Sequence, residues 1–536
     1  MTSATASSAT SVGTGASRGP SRSGTGEGRL RRHLLGRRSS DQLWGWVGPL
    51  LVTALAGVLR FWHLDRPHQL IFDETYYVKQ AYTLWQNGFE NQWPEDADAR
   101  FTVGEPDIYL QVGDRAVHPP VGKWMIAAGE WLFGIDSSWG WRFSAAAVGT
   151  LMVLVLARTA RRLLGSTLLG CTAGLLVAVD GHHLVHSRTS LLDIFLAFWV
   201  LCAFAALVVD RDRSRSRLAA RVARARSAGT LGTLGPGFGL RPWRLVAAVC
   251  LGLASGVKWS ALFYVAAFCV MSVLWDMSAR RAAGVPRWFE GGVLRDGLPA
   301  AVTMLPVVVG VYLASWAGWF FSDGGYLRQW GAEHPSAGPV PDALRSLWHY
   351  HADMLSFHEG LASDHPYESG PWSWLVQGRP TSFFYESPGR GEMGCAVESC
   401  SRAITSLGNP LIWWGATLAL AVVLVSWAAR RDWRAGAVLV GVGAGLLPWF
   451  MYPDRTIYAF YAVVFLPYLV LGLTYVLGLV LGPPHAPPQR RTLGAAIAGG
   501  YLVACVAVAA FFWPVWTGIV IPYSQWQLRM WLPSWV

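Results

Sequence analysis

The sequence predicts an all-α polytopic membrane protein, and three observations lead to this prediction. Of its 536 residues, 53% are hydrophobic and only 14% are charged, whereas soluble domains carry about a quarter charged residues. Long apolar segments recur along the chain, and arginine is concentrated between particular pairs of them. The net charge of +11 is therefore interpreted as a signal of membrane orientation.

A helix needs about 20 mostly apolar residues to span a bilayer, and eleven segments meet or approach that length. Two of them are short, at 244–257 and 436–452. The predicted membrane helices are 45–63, 142–163, 168–186, 189–209, 244–257, 259–278, 298–321, 410–429, 436–452, 458–481 and 493–514.

The distribution of Lys and Arg predicts the orientation, because cytoplasmic loops are enriched in these residues. With a cytoplasmic N-terminus, the Arg-rich runs 158–162, 211–244 and 280–295 all lie inside, together with most of the 44 basic residues. Since the number of helices is odd, the C-terminal tail 515–536 is then extracytoplasmic.

The chain divides into a tail and one transmembrane domain. Residues 1–43 are rich in Ser, Gly and Arg and have few large apolar side chains, so a disordered cytoplasmic tail is expected. Residues 44–536 form the transmembrane domain. Its two long outer segments are 64–141, after the first helix, and 322–409, after the seventh.

The seven cysteines give no metal-ligand spacing, and we expect no metal site. Only Cys395 and Cys400 lie outside the apolar runs, in the second outer segment. A disulfide between them suits an oxidising outer compartment, and two free thiols are the alternative.

The first outer segment contains the adjacent carboxylates Asp73 and Glu74. Such a pair offers a general base and a partner that shifts its pKa or orients it. Acidic residues also favour the first turn of a helix through the helix dipole. The pair alone therefore does not distinguish catalysis from helix stabilisation.

Ionisable residues also lie at the outer ends of predicted helices. Placing a charged side chain in a membrane costs free energy, so such residues suggest a function. For each one the alternative is snorkelling or a structural ion pair such as Arg188 with Asp193. His118, held by the two prolines that follow it, is either catalytic or a structural hydrogen-bonding residue. The predicted topology places several ionisable residues on the same side of the membrane as Asp73 and Glu74. They are His118, Arg142, His183, Arg188, Lys258 and Arg455.

Several cations beside a carboxylate pair suit an anionic lipid headgroup, because Arg and Lys both bind phosphate. This arrangement describes glycosyl transfer from a lipid-linked phosphate sugar. The carboxylate takes the proton of the acceptor, and the cations stabilise the departing phosphate. The sequence has no Gly-rich phosphate loop and no His-Glu-x-x-His motif, so the substrate itself must supply the energy.

The sequence resembles the protein O-mannosyltransferases, membrane glycosyltransferases of the GT-C fold. The resemblance covers nearly the whole chain beyond residue 43. The motifs that carry it are Phe72-Asp73-Glu74 with Tyr76-Tyr77, His118-Pro119-Pro120-x-Gly122-Lys123, Trp141-Arg142-Phe143, Gly181-His182-His183 through Ser187-Arg188 to Leu191-Leu192-Asp193, Gly256-Val257-Lys258-Trp259-Ser260, Trp372-Ser373-Trp374 through Arg379-Pro380, and Pro453-Asp454-Arg455.

The resemblance implies a reaction and roles for these residues. Asp73 would deprotonate a Ser or Thr hydroxyl, and Glu74 would support it or orient the acceptor. Mannose would arrive on a polyprenyl phosphate and be transferred with inversion. Neither a cofactor nor a strict metal requirement is expected. The substrate-binding residues would be Arg142 and Arg188 as preferred phosphate ligands, Lys258 and Arg455 as weaker candidates, and His118, Lys123, His183 and Asp193.

The second outer segment is too short for the β-trefoil MIR domain of eukaryotic members, so the sequence resembles the bacterial, actinobacterial branch. The enzyme would then work at the outer face of the plasma membrane. Its expected partners are polyprenyl-phosphate mannose, extended Ser/Thr-containing secreted polypeptides, the secretion translocon and membrane lipids, with no nucleic acid. Trp372, Trp374 and Phe383 to Tyr385 would either guide the acceptor or only cap the bundle.

Three other functions remain open at this point. A related GT-C enzyme would transfer a lipid-borne sugar to a glycan or lipid instead of a protein. A lipid-linked sugar flippase would perform no chemistry, and a non-catalytic subunit would organise the secretion machinery. Transfer to a Ser/Thr peptide distinguishes a protein mannosyltransferase from the first alternative. A flippase should keep its activity in Asp73→Asn, and a non-catalytic subunit should tolerate substitution of both Asp73 and Arg142.

Overall fold

The computed structural model describes residues 22–36 and 41–536, and helices make up most of this range. The helices are α1 (Arg22–Leu35), α2 (Trp44–Phe61), α3 (Glu74–Asn87), α4 (Ala97–Thr102), α5 (Val121–Phe133), α6 (Ser138–Leu164), α7 (Thr167–Ala178), α8 (Gly181–His186), α9 (Leu192–Ser227), α10 (Pro242–Ser255), α11 (Ala261–Ala282), α12 (Trp288–Gly292), α13 (Leu298–Ser315), α14 (Ala317–Phe321), α15 (Trp330–Glu333), α16 (Asp342–Gly360), α17 (Pro371–Trp374), α18 (Pro410–Arg430), α19 (Trp433–Leu446), α20 (Leu466–Leu481), α21 (Pro488–Thr517) and α22 (Tyr523–Gln527). The strands are β1 (Thr381–Glu386), β2 (Cys400–Ser406) and β3 (Ile521–Pro522). A π turn (Val293–Gly297) and the 3-10 turns Leu447–Met451, Ala459–Val464 and Pro533–Trp535 complete the elements.

Within the described residues, eight helical stretches are long and apolar enough to cross a membrane. They are α2, α6, α9, α11, Trp288–Ser315, α18, Trp433–Met451 and α21, and three shorter apolar helices, α7, α10 and α20, accompany them. Each of the eleven predicted segments corresponds to one of these stretches. The number of crossings and the orientation of the termini stay predictions.

Two predicted helices have different ends. The segment predicted as 168–186 is interrupted after Ala178, because the carboxylate of Asp180 accepts a hydrogen bond from the His183 backbone N–H (3.0 Å) and begins α8. The segment predicted to end at residue 209 continues to Ser227. Apolar side chains on this extension, including Leu218 and Val222, are buried, which gives the helix a reason to continue.

The prediction of a disordered tail at 1–43 is wrong for residues 22–35, which form α1. Leu30 and Leu34, one helical turn apart, pack against the extension of α9, and the Leu34 carbonyl accepts a hydrogen bond from Arg215 (3.1 Å). The low average hydrophobicity of the tail hides this single apolar stripe. Residues 1–21 and 37–40 lie outside the described part of the chain.

A three-stranded antiparallel sheet in the order β1-β2-β3 is an element that the all-α prediction did not include. It joins the second outer segment to the C-terminal tail, because Cys400 in β2 lies opposite Pro522 in β3. Cys395 and Cys400 are bonded, with an S–S distance of 2.01 Å. Of the two alternatives left open by the sequence, the structure has the disulfide.

The predicted outer segments meet one another in the structure. Arg115 of the first segment forms a two-point ion pair with Asp353 in α16 of the second (2.7 and 2.8 Å). The Tyr350 hydroxyl donates to the Ala116 carbonyl (3.0 Å), and Arg379 donates to the carbonyl of Val536 in the C-terminal tail (2.7 Å). These contacts join the two outer segments to each other and the second one to the C-terminal tail.

Candidate active site

Asp73 directly precedes α3, at the position where a carboxylate commonly caps a helix. Its side chain makes no capping hydrogen bond. The residue before it, Phe72, has φ +51°, which is uncommon for an aromatic residue. The Phe72 ring stacks on Phe383 of β1 (centroids 4.5 Å apart, planes at 10°) and meets Phe460 edge-on (5.4 Å). These ring contacts hold the turn before α3, in which the Asp73 carboxylate makes no capping hydrogen bond to the helix.

The Asp73 carboxylate has a distinct electrostatic environment. Burial raises its pKa to about 6, while Lys258 lowers it, Asp193 raises it and the Tyr77 hydroxyl lowers it. A carboxylate with a pKa near neutrality is well matched to the work of a general base.

A cavity of about 320 Å³ is lined by Lys258 and Asp193, the two charged residues that shift the pKa of Asp73, although Asp73 itself is not a lining residue. Ionisable side chains line one end of it, and apolar side chains from α11 and α19 line much of the remainder. Its lining residues are His118, Asp193, Lys258, Trp259, Ser260, Leu262, Phe263, Tyr264, Leu355, His358, Glu359, Ala444, Gly445, Trp449, Tyr452, Arg455, Tyr461 and Val464. A cavity of this kind suits a ligand with an anionic head and an apolar tail.

Three of the predicted charged residues meet at the polar end of this cavity. The Lys258 Nζ atom lies 2.8 Å from the Asp193 carboxylate and 5.5 Å from the centre of the Tyr461 ring. Arg455 also lines the cavity and lies over Trp449, 5.7 Å from the ring centre. Because burial and nearby cations lower the pKa of His118 well below its usual range, its ring is neutral here. The sequence ranked Lys258 and Arg455 as the weaker phosphate candidates, yet these two line the cavity.

Glu74 and Arg142 form a buried structural pair. The Arg142 Nε and Nη2 atoms each lie 2.8 Å from a Glu74 carboxylate oxygen, and both side chains are at most 1% exposed. Arg142 also donates to the carbonyls of Pro67 (2.8 Å) and Gln69 (3.0 Å), and Glu74 accepts from the backbone N–H of Ser190 (3.0 Å). The donors of Arg142 already have protein partners, which disfavours the predicted phosphate contact. That Glu74 supports the base or orients the acceptor stays a prediction.

Arg188 and His183 hold the end of α2. Arg188 donates to the backbone carbonyls of Arg60 (2.8 Å), Trp62 (2.7 Å) and His63 (3.0 Å). The His183 Nδ1 atom lies 2.8 Å from Arg60 Nη2, and His183 is fully buried. Carbonyls at a helix C-terminus are unsatisfied within the helix and attract cations. The predicted phosphate contact of Arg188 is disfavoured on this ground. The predicted substrate contact of His183 stays a prediction, because its buried Nε2 atom has no hydrogen-bond partner among the described residues.

Lys123 binds the backbone of His118 and does not line the smaller cavity. Its side chain is fully buried and pairs with Glu90, and its Nζ donates to the His118 carbonyl (3.0 Å). The predicted substrate contact of Lys123 is therefore corrected to a contact with the segment that carries His118.

A second, larger cavity of about 800 Å³ adjoins the first, and Trp449 and Arg455 line both. Its wall comes mainly from the second outer segment and the 449–457 turn. The lining residues are Ala362, Asp364, Glu368, Ser369, Gly370, Pro371, Trp372, Ser373, Gly378, Arg379, Trp449, Phe450, Pro453, Asp454, Arg455, Thr456, Ile457 and Ser534. Trp372 is 75% exposed here.

Comparison with known proteins identifies the family of this chain. A family model described as "Dolichyl-phosphate-mannose-protein mannosyltransferase" matches residues 50–225, and one described as "C-terminal four TMM region of protein-O-mannosyltransferase" matches residues 343–535. A polyprenol-phosphate-mannose–protein mannosyltransferase of Mycolicibacterium smegmatis is 42% identical over 92% of this chain and 94% of its own length. The chain belongs to the protein O-mannosyltransferase family.

Further relatives of this O-mannosyltransferase carry the same name. The protein of Mycobacterium tuberculosis is 41% identical over 92% of each chain, and that of Corynebacterium glutamicum is 35% identical over 87% of this chain and 88% of its own. Among solved structures, the Saccharomyces cerevisiae Pmt1-Pmt2 complex bound to the sugar donor superposes with a TM-score of 0.67. The match has 14% identity and covers 95% of this chain and 94% of that one. The predicted GT-C fold is confirmed.

Several cavity residues of this O-mannosyltransferase were not predicted from the sequence. His358 lies in α16, outside every motif that carried the resemblance, and Tyr461 and Trp449 lie in stretches that were interpreted only as membrane helix. A signal was available for Trp449 and Tyr461, because they flank the Pro453-Asp454-Arg455 motif. His358 has no comparable signal, since its role depends on two segments that are distant in sequence.

Proposed function

We propose that this O-mannosyltransferase transfers mannose from polyprenyl-phosphate mannose to Ser and Thr hydroxyls of exported polypeptides, with inversion. The observation that carries the proposal is the cavity with apolar walls at one end and, at the other, ionisable groups that include the residues shifting the pKa of Asp73. The names of the bacterial relatives support the choice of sugar, donor and acceptor.

Lys258 and Arg455 are the proposed phosphate ligands. As a bond forms between the acceptor oxygen and the anomeric carbon, the bond from that carbon to the phosphate oxygen breaks. The hydroxyl proton moves to the Asp73 carboxylate, and negative charge grows on the departing phosphate. Positive groups beside the departing phosphate stabilise the transition state. We assign this positive charge to Lys258 and Arg455 and not to a metal ion or another cofactor. Leu262, Phe263 and Val464 would receive the first isoprene units.

The larger cavity is the proposed acceptor site. Exposed aromatic side chains such as Trp372 and Phe450 offer broad contact to an extended backbone. An acceptor there would meet the donor at the shared residues Trp449 and Arg455. This assignment favours the interpretation of the second outer segment as an acceptor guide over that of a cap.

The proposed setting is the outer face of the plasma membrane. Eleven crossings with the N-terminus inside would bring both cavities to that face, as the positive-inside rule supports. Polypeptides leaving the secretion translocon are still extended and would fit an open cavity, which makes the translocon a proposed neighbour. Membrane lipids would surround the apolar exterior.

Lys258→Met tests the phosphate assignment and the function together. In liposomes with labelled polyprenyl-phosphate mannose and a Thr-containing peptide, we expect wild-type transfer that persists in EDTA. The variant should lose about 10²- to 10³-fold in kcat/KM, the scale of one transition-state donor. Lys79→Met is the matched control, because Lys79 also pairs with a carboxylate, Asp98, in an outer segment. Transfer to a glycan or lipid but not to peptide would contradict the proposed acceptor.

The rate should depend on pH through Asp73. Its pKa of about 6 means that the fraction of charged base falls as the pH drops through 6, so kcat/KM should decrease about tenfold per unit below that point. Above it the rate should level off. Initial rates measured on both sides of pH 6 test this decrease. Recovery of activity after return to neutral pH shows that the enzyme was not denatured. A flat profile through pH 6 would contradict the role of Asp73 as base.

A further inference from the structure

His358, near the end of α16, contacts both the first outer segment and the Arg455 turn. Its Nε2 atom lies 2.8 Å from the Val117 carbonyl oxygen. On the other side of the ring, Arg455 Nη2 lies 3.3 Å from His358 Nδ1, and Arg455 Nε donates to the His358 backbone carbonyl (3.1 Å). His358 therefore contacts two of the three guanidinium nitrogens of Arg455, one through its backbone carbonyl and one through its ring.

These partners determine the protonation of the His358 ring. A backbone carbonyl only accepts hydrogen bonds, so Nε2 must carry the proton that it donates to Val117. A guanidinium only donates, so Nδ1 must offer its lone pair to Arg455. The neutral Nε2–H tautomer alone satisfies both contacts. Burial and the nearby Arg455 and Lys258 lower the pKa of His358 to about 4, against which the Val117 contact acts, so the neutral form is present near pH 7.

The ring is also fixed by packing. It stacks on His118, with centroids 5.1 Å apart and planes at 26°, and Trp259 approaches its edge at 6.5 Å. All three of these side chains line the smaller cavity. Rotation of the His358 ring would therefore break the Val117 and Arg455 contacts together.

We propose that His358 is a positioning residue of the donor site, whose neutral imidazole orients the Arg455 guanidinium toward the lipid phosphate. The inference deepens the proposed function and rests on it. Through the Val117 contact the same ring fixes the segment that ends in His118, and through Arg455 it fixes the phosphate ligand. The two ring nitrogens thus have separable tasks: Nε2 serves the fold, and Nδ1 serves the donor.

Two substitutions separate these tasks. In His358→Asn the amide oxygen replaces the Nδ1 acceptor and no group remains to reach Val117. In His358→Gln the amide nitrogen replaces the Nε2 donor and no acceptor remains at Nδ1. Trp449 and the His358 backbone carbonyl still contact Arg455 in both variants, so the guanidinium stays near the cavity. In the Gln variant its Nη2 group loses the imidazole acceptor and is no longer held in one direction.

We expect opposite results from the two variants. His358→Gln should raise the KM for polyprenyl-phosphate mannose about tenfold, with the peptide KM and the Tm unchanged. His358→Asn should keep the donor KM near that of wild type and lower the Tm. His349→Gln is the control, because His349 lies on the same helix but its ring stacks on Trp330 (4.1 Å), outside both cavities.

The proposal is overturned if both variants change donor KM and Tm in parallel, because that pattern indicates only a structural role. Displacement of a labelled polyprenyl phosphate from nanodisc-bound protein provides a second measurement, in which the Gln variant alone should bind more weakly. This measurement needs no sugar transfer. A wild-type protein that binds the lipid phosphate but transfers no mannose would refute the proposed function. The role of His358 would then still be tested by the binding measurement.

Discussion

Asp73→Asn is expected to lower kcat by about 10²- to 10⁴-fold, the usual contribution of a general base, while the protein stays folded. The amide has nearly the shape of the carboxylate but cannot take up the acceptor proton. Because Asp73 makes no capping hydrogen bond to α3, the helix should not suffer. The measurement is the rate of mannose transfer to peptide at saturating donor, with Tm and expression recorded alongside.

Asp96→Asn is the matched control for this substitution. Asp96 also directly precedes a helix of the first outer segment, α4, and likewise makes no side-chain capping bond. Unlike Asp73, it is exposed to solvent, so its replacement should leave kcat unchanged. Full transfer activity in Asp73→Asn would reject Asp73 as the base and leave the enzyme class standing.

Arg142→Met should destabilise the folded protein by about 3–5 kcal/mol, the range for breaking a buried ion pair by removal of one partner. The substitution leaves the buried Glu74 carboxylate without its cationic partner, and it removes the donors to the Pro67 and Gln69 carbonyls. Thermal unfolding in detergent measures the loss. Protein that remains folded should keep the donor KM of wild type.

Arg100→Met provides the comparison, since Arg100 pairs with Glu105 at the surface of the same outer segment (side chains 49% and 61% exposed). Exposed pairs contribute only about 0–1 kcal/mol, so its Tm should hardly change. A raised donor KM with an unchanged Tm in Arg142→Met would instead restore the prediction that Arg142 binds phosphate.

The membrane helices were predictable because apolar length is a local property of the sequence. The roles of the cations were not. Arg142, Arg188, Lys258 and Arg455 all lie near helix ends, but their partners are distant along the chain. Arg188 contacts carbonyls at the end of α2, and no local pattern records that an arginine is already satisfied.

The tail and the outer loops illustrate the same limit at a larger scale. α1 escaped prediction because two leucines, Leu30 and Leu34, are enough for a helix that packs on α9 but too few to change the composition. The three-stranded sheet brings together segments more than 100 residues apart, as Cys400 and Pro522 show. The Asp73-Glu74 pair stands out in the sequence because adjacent carboxylates follow a membrane helix, and the role of Asp73 as base stays a prediction. The ion pair of Glu74 became visible only through Arg142, which is distant in sequence.

The shared wall at Trp449 and Arg455 separates two routes of departure. The smaller cavity is lined by Leu262 and Phe263 of α11 and by Ala444 of α19, whereas the larger one is lined by outer loops. Under the proposed assignment, the spent polyprenyl phosphate withdraws sideways into the bilayer, and the mannosylated polypeptide leaves toward the aqueous side. Neither product crosses the path of the other. A fresh donor can therefore enter while a polypeptide remains bound, so neighbouring hydroxyls can be modified in a single encounter.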